Sequence, residues 1–271
     1  MHPSLLTQFR GALLGAAIGS YLSTPPPPTR YGKHLSWQIA SAESDSATSN
    51  EVKQAVQIAV SGTESLIHWG KFNLAEWQSF IDSPTLSTSL SSRAEKAIAT
   101  FPLLLFFHED LPKLQLQLQQ VTKGWTVKEL TESSEPDDAK SPTVDQAITV
   151  LGATIAHSLK HTLYPGTFLQ TQLSLPTLTD PLRSLLSQIQ HRLETQTGFV
   201  AWQEELLKFS QRDDGQTVIG LALYCFLSTP DDFRLSLLRA LQIDYRLEVV
   251  CPLVGALSGT YNGVMGIPAQ W

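Results

Sequence analysis

His157 and His161 stand four residues apart in a stretch of helical periodicity, and two imidazoles one turn apart on a helix could share a metal ion. The intervening Ser158-Leu159-Lys160 lacks the glutamate of a zinc protease motif, so the simpler reading is a pair of surface or core histidines. Asp213-Asp214-Gly215 and Asp231-Asp232 offer paired carboxylates of the kind general acid–base catalysis uses, yet each pair stands just before a predicted helix, where capping explains it. Glu43 and Asp45 lie in a long polar stretch, residues 30–50. Long loops in compact domains often form sites, and the plainer reading is a mobile polar surface. His68 with Trp69, and the solitary Trp125, read as packing. The chain has no Gly-rich phosphate loop, no Cys/His nucleophile pair and no Ser/His/Asp arrangement. The site must therefore be sought through the elements that would build it.

Those elements are marked most clearly by glycine. Gly11, Gly15 and Gly19 recur every fourth residue near the start, and Gly255, Gly259 and Gly263 do so near the end. At that spacing, glycines line one face of a helix and leave a groove without side chains. Glycine weakens a helix, so the offsetting gain must be a second backbone packed along the groove. Two matching registers predict that the first and last helices cross in the core, the last one starting at Pro252, where a missing N–H costs nothing.

Between the two ends the pattern is helical nearly throughout. Pro25 to Pro28 must be extended, which stops the first helix near Tyr21. Ser49 or Asn50 is expected to cap a helix over residues 51–69, and Gly70 to end it. Helices follow at 74–80, 92–107 with Pro102 as a kink site, and from Asp110 onward. There the alternation Leu114-Gln115-Leu116-Gln117-Leu118 resembles a strand but also fits a helical face. Residues 129–142 are polar, acidic and proline-bearing and read as an exposed connection. Periodicity resumes at 143–163, breaks over 164–176, and returns at 180–196, 203–209, 218–227 and from Pro230 to Leu241. The fold class is all-α, a compact single domain over residues 1–271.

With 271 residues, 42% of them hydrophobic, the chain is long enough for a sizeable core. A net charge of −6 supplies no basic field for nucleic acid. No apolar run is long enough to span a membrane, and the stretch from Gly11 to Leu22 is a packing helix rather than a secretory signal. Cys225 and Cys251, both in apolar surroundings, read as reduced core thiols in a cytoplasmic protein.

Phe9-Arg10-Gly11-Ala12-Leu13-Leu14-Gly15-Ala16-Ala17-Ile18-Gly19 resembles the opening of the ADP-ribosylglycohydrolase family. Its close is matched by Leu253-Val254-Gly255-Ala256-Leu257-Ser258-Gly259-Thr260-Tyr261-Asn262-Gly263 together with Gly266-Ile267-Pro268-Ala269-Gln270-Trp271. Residues 218–227, Thr229-Pro230-Asp231-Asp232-Phe233 and Leu237-Leu238-Arg239-Ala240 also look like the family's pattern, and the match is weak between Gly32 and Ser210. The resemblance implies a central site where two magnesium ions activate a water against an ADP-ribosyl linkage.

The carboxylates the resemblance implies are mostly absent. Where the family writes Gly-Gly-Asp-Thr-Asp-Thr, gapless alignment gives Asp244-Tyr245-Arg246-Leu247-Glu248-Val249, so one metal-binding aspartate becomes Arg246 and the other Glu248. The early Thr-Asp-Asp-Thr falls on Lys53-Gln54-Ala55-Val56, and the aspartate after the first helix's last glycine is Ser20. Magnesium needs hard oxygen ligands, and Arg246 and Lys53 would put cations where it must bind. Glu43, Asp45 or Glu51 could reach the first metal position only through a gap, and Glu248 is the remaining metal candidate. The expectation is a member with a degenerate dimagnesium site and no cofactor, its ligand-binding candidates being Arg246, Glu248, Asp244 and Ser20. Such a protein would bind ADP-ribose or a related nucleotide, or serve structurally, or meet a protein partner through an exposed patch around Phe101 to Phe107. The alternative is an active, magnesium-dependent hydrolase of an ADP-ribosyl or related N-glycosidic bond. Arg246 itself either grips carboxylate or phosphate in place of the metals, or fills a pocket that no longer works.

Overall fold

A computed structural model describes residues 3–23, 46–81, 93–132, 143–196, 214–243 and 245–270. Among these there are eleven α-helices, one 3-10 turn and no strand. In chain order the helices are α1 (Leu5–Ser23), α2 (Ser46–Trp69), α3 (Leu74–Ile81), α4 (Arg93–Phe106), α5 (Leu111–Glu132) and α6 (Thr143–Leu159). They continue as α7 (Pro165–Leu173), α8 (Asp180–Thr195), α9 (Asp214–Ser228), α10 (Phe233–Leu241) and α11 (Leu247–Asn262), with the 3-10 turn at Val264–Gly266.

The core is built round α11, whose residues from Val249 to Thr260 are all buried. A helix that is apolar on every side has no face to give to water, so it is enclosed by its neighbours. Here α1, α4, α6, α9 and α10 all pack on it. Helix α9 is enclosed in the same way, with every residue from Val218 to Leu227 buried.

The glycine registers meet as expected, antiparallel. A Cβ added to Gly15 would overlap the carbonyl oxygen of Gly255, and one added to Gly255 would overlap that of Gly15. Gly11 and Gly259 stand in the same reciprocal relation, while Gly19 lies against the carbonyl of Cys251. Gly263 carries the same contact one turn further, its backbone lying against Gly11. It ends α11 with φ +65°, its nitrogen bonded to the Gly259 carbonyl, and fits under Pro3.

Pro252 is not a helix start. Helix α11 begins five residues earlier, where the Arg246 carbonyl accepts from the nitrogens of both Val249 and Val250, each at 2.9 Å. Proline in the second turn removes only one later bond, which the enclosed helix tolerates. Ser49 and Asn50 do not cap α2, which already runs through them from Ser46. Helix α4 spans Pro102. Asp110 does cap α5, its side chain accepting from Lys113 N at 3.0 Å. The Leu/Gln alternation is helical: Leu114, Leu118 and Val121 are buried while Leu116 faces solvent. Because α5 continues to Glu132, the first residues of the expected connection at 129–142 are helical, and the rest lie outside the described residues. The expected helix at 203–209 lies outside them too.

A helix was also missed. Proline at its first position starts α7 inside the stretch read as a break, and Phe168, Leu169 and Gln172 give it a buried face. Arg183 from α8 holds its far end by donating to the carbonyls of Leu173 and, at 2.9 Å, Leu175.

Candidate functional site

The early start of α11 decides what the site is. Arg246 becomes the N-cap of that helix, in a left-handed conformation with φ 45° and ψ 44°, and Glu248 falls in its first turn. Glu248 is well placed there, because the unpaired N–H groups of a helix start favour a negative charge. Arg246 is not, since the same field opposes a cation.

Two carboxylates offset that opposition. Arg246 Nε donates to Glu248 Oε1 at 2.7 Å, and Arg246 Nη2 donates to Glu95 Oε1. Glu95 sits in the first turn of α4 and is fully buried, whereas the Arg246 and Glu248 side chains are 18% and 32% exposed. Two helix starts thus converge on one guanidinium. A carboxylate removed entirely from water needs a charge partner, and Arg246 supplies it from 151 residues away.

Glu95 is the residue that sequence reading missed. A glutamate in a helix's first turn is ordinary, and its neighbour Lys96 makes the pair look like a solvated face. Both side chains are nevertheless buried, because α2, α5, α6, α9 and α11 all pack on α4.

The other candidates are scattered. Ser20 lies in the last turn of α1, partly buried, and its carbonyl accepts from Ser23 Oγ at 2.9 Å. The antiparallel seam that sets Gly19 against Cys251 brings Ser20 to the same end of the molecule as Arg246. Lys53 is exposed on α2, so it does not share the enclosed position expected for it. Asp244, Glu43 and Asp45 lie outside the described residues, as do the side chains of Glu51, Asp214 and Trp125.

His157 and His161 do not share a helical face. Helix α6 ends at Leu159, and His161 turns away with φ 54°. His157 bonds to Thr162 Oγ1 at 3.0 Å and stacks edgewise on Phe168, and burial together with the Lys160 charge holds its pKa below the ordinary 6.5. Asp232 caps α10 by accepting from Leu235 N at 2.9 Å, while burial and the hydrogen-bonded Asp231 raise the pKa of Tyr261. His68 and Trp69 stack on each other at 4.7 Å but are exposed, so they are not core packing. The run from Phe101 to Phe107 is buried apart from the exposed Phe106, and one exposed ring is not the apolar patch expected there.

Magnesium fits this arrangement poorly. A dication about 4 Å from a guanidinium is repelled by roughly 8 kcal/mol at an effective dielectric of about 20, and Arg246 already lies between the two acids. Among the described residues no group of three His, Cys, Asp or Glu side chains is placed to hold a metal. An open cleft of about 890 Å³ between α7, α8, α9 and α10, lined by Leu193, Leu235, Arg192 and Arg239 among others, does not include the Arg246 cluster. No helix among the described residues is long and apolar enough to cross a membrane.

Comparison with known proteins bears on the whole chain. The family model described as ADP-ribosylglycohydrolase matches residues 1–271. A solved structure described as an ADP-ribosylglycohydrolase-related protein complex aligns with a TM-score of 0.59 at 17% identity, covering 98% of this chain and 91% of that one, a likeness of fold. A search of curated proteins gives no match.

Proposed function

The chain belongs to the ADP-ribosylglycohydrolase family, and from that premise we propose that it is a non-catalytic member, with its dimagnesium site degenerate and its role one of ligand binding or structure. The observation that carries this reading is the Arg246 guanidinium held by Glu95 and Glu248 at the convergence of two helix starts. Family hydrolysis by the route the resemblance implies would need metal-bound water at this point, and a fixed cation there opposes the metal. Fold alone does not preserve a reaction.

ADP-ribose or a related nucleotide is the proposed ligand, and its phosphates would have to compete with two carboxylates for Arg246. A protein partner is the other candidate. The two buried free thiols fit a reducing compartment, and the proposed location is the cytoplasm.

Release of ADP-ribose from modified protein or small substrates, measured with and without magnesium, tests the first half of the proposal. No turnover in either condition is expected, and magnesium-dependent turnover would establish the active hydrolase instead. Calorimetric titration of ADP-ribose into the protein and its Arg246→Ala variant tests the second half. Heat that is lost in the variant supports binding through the guanidinium, and no heat with either protein leaves the structural role.

A further inference from the structure

We propose that this protein pairs with a second copy of itself through the outer face of α1, the two helices running antiparallel about a two-fold axis. The pairing does not depend on how the Arg246 site is read.

Helix α1 turns Gly11, Gly15 and Gly19 toward α11 and is apolar on its other side as well. At about 100° of turn per residue, Leu6, Arg10, Leu13, Leu14, Ala17 and Tyr21 fall in one stripe about 100° wide, opposite the glycines. The whole stripe is exposed: Leu6 is 61% open, Leu13 and Leu14 are 44% each, and Tyr21 is 78%. A helix face turned to water ordinarily carries charge, and here Arg10 alone does so.

Size, charge and area select a second copy as the occupant. With the two-fold axis between residues 13 and 14, Leu13 faces Leu14 of the other copy, Leu6 faces Tyr21, and Arg10 faces Ala17. Large side chains meet large ones, and the long arginine meets the smallest member of the stripe. At a rise of about 1.5 Å per residue, the two copies of Arg10 stand about 10 Å apart along the helices, where exposed like charges are largely screened. Each guanidinium then lies one turn from the Tyr21 ring of the other copy, within reach of a cation–π contact. The open parts of the stripe amount to roughly 500 Å² per copy, so pairing buries about 1,000 Å² in total, the lower limit for a specific interface. A membrane surface suits the stripe less well. An interfacial helix offers a basic polar face beside its apolar one, whereas the reverse face of α1 is sunk in the core and the chain carries a net charge of −6.

Sedimentation velocity of the full chain, from about 1 to 200 μM, tests the pairing. The wild-type mass is expected to rise from 29.8 kDa toward twice that value, with a dissociation constant on the order of 10 μM, weak as the small area requires. Leu13→Glu sets like charges beside the axis and should weaken association about tenfold or more. Its melting temperature in dilute solution should not change, because the position is open to water in the monomer. Tyr21→Ser, at the far end of the stripe, should weaken association several-fold and decides the matter if Leu13→Glu does not fold. Register is read by oxidative cross-linking, in which the buried Cys225 and Cys251 take no part. A mixture of Arg10→Cys and Ala17→Cys proteins should form a disulfide-linked dimer, and neither alone should do so. A wild type that is monomeric at every concentration overturns the proposal. So does association that neither Leu13→Glu nor Tyr21→Ser weakens, or Ala17→Cys protein that cross-links by itself. Monomeric protein that binds phosphatidylserine vesicles through the stripe would overturn it in favour of a membrane surface. None of these results bears on turnover or on the heat of ADP-ribose binding, so the proposed function stands or falls separately.

Discussion

The middle of α11 and its beginning hold the protein together by opposite means. In the middle, Gly255 and Gly259 have no side chains, and the backbone of α1 packs directly on theirs. At the beginning, Arg246 and Glu248 have long charged side chains, and they bind a third charge on α4. The seam gains dispersion contacts at the closest approach two backbones can make, so its tolerance for added atoms is nil. The charged end gains Coulomb energy against a desolvation cost, so its tolerance is set by whether charge stays balanced. Cys251 stands where the two regions join, its carbonyl under Gly19 and its thiol near Glu248.

The contrast breaks first at the seam if it is wrong. Gly15→Val and Gly255→Val should each cost more than about 3 kcal/mol or prevent folding, because the added Cβ meets a backbone carbonyl that cannot rotate away. Chemical denaturation of each variant checks this, and a loss under 1 kcal/mol would show that the helices can separate cheaply. Next comes Glu95→Gln, which removes the buried charge and weakens the tie from α4 to α11. Loss of an ionic hydrogen bond costs about 2 kcal/mol, and the partly exposed Arg246 keeps Glu248 and water.

The junction supplies a pH test. Burial, followed by its neighbour's charge, pushes the thiol pKa of Cys251 from 9.0 to about 12, and burial raises Cys225 further. Since the folded values lie above the unfolded ones, the stabilisation is complete below pH 9.0 and is lost as pH rises toward the folded value. At pH 10 the loss should be on the order of 1 kcal/mol for each thiol. Denaturation at pH 8 and pH 10 checks it, with Cys225→Ala expected to lessen the slope, and neither thiol should react with a maleimide in the folded protein. Smallest is Glu248→Gln, expected to cost under about 1 kcal/mol because that carboxylate is a third exposed and water can replace its share of the pair. A larger loss would move the weight of the charged end from Glu95 to Glu248.

Legibility differed between the two regions for a physical reason. Backbone packing requires glycine itself, so its spacing in the chain was the whole signal, and the two registers met as read. Arg246 and Glu248 were legible only as members of an alignment, and Glu95 was not legible at all. Its burial comes from five helices closing round α4, a property of no local window. The histidine pair failed for a related reason: helical spacing persisted in the sequence after the helix itself had ended at Leu159. Proline misled in both directions, marking a start at Pro252 where the helix was already formed and hiding the true start at Pro165.

The sequence by itself determined the all-α class, the crossing of the first and last helices, and the presence of a cation in place of an expected carboxylate. Each depends on residue type and spacing along one segment. Only the tertiary structure decided which charges that cation answers. Burial and convergence arise between segments, and the partner that makes Arg246 a structural charge stands at the start of α4, 151 residues away.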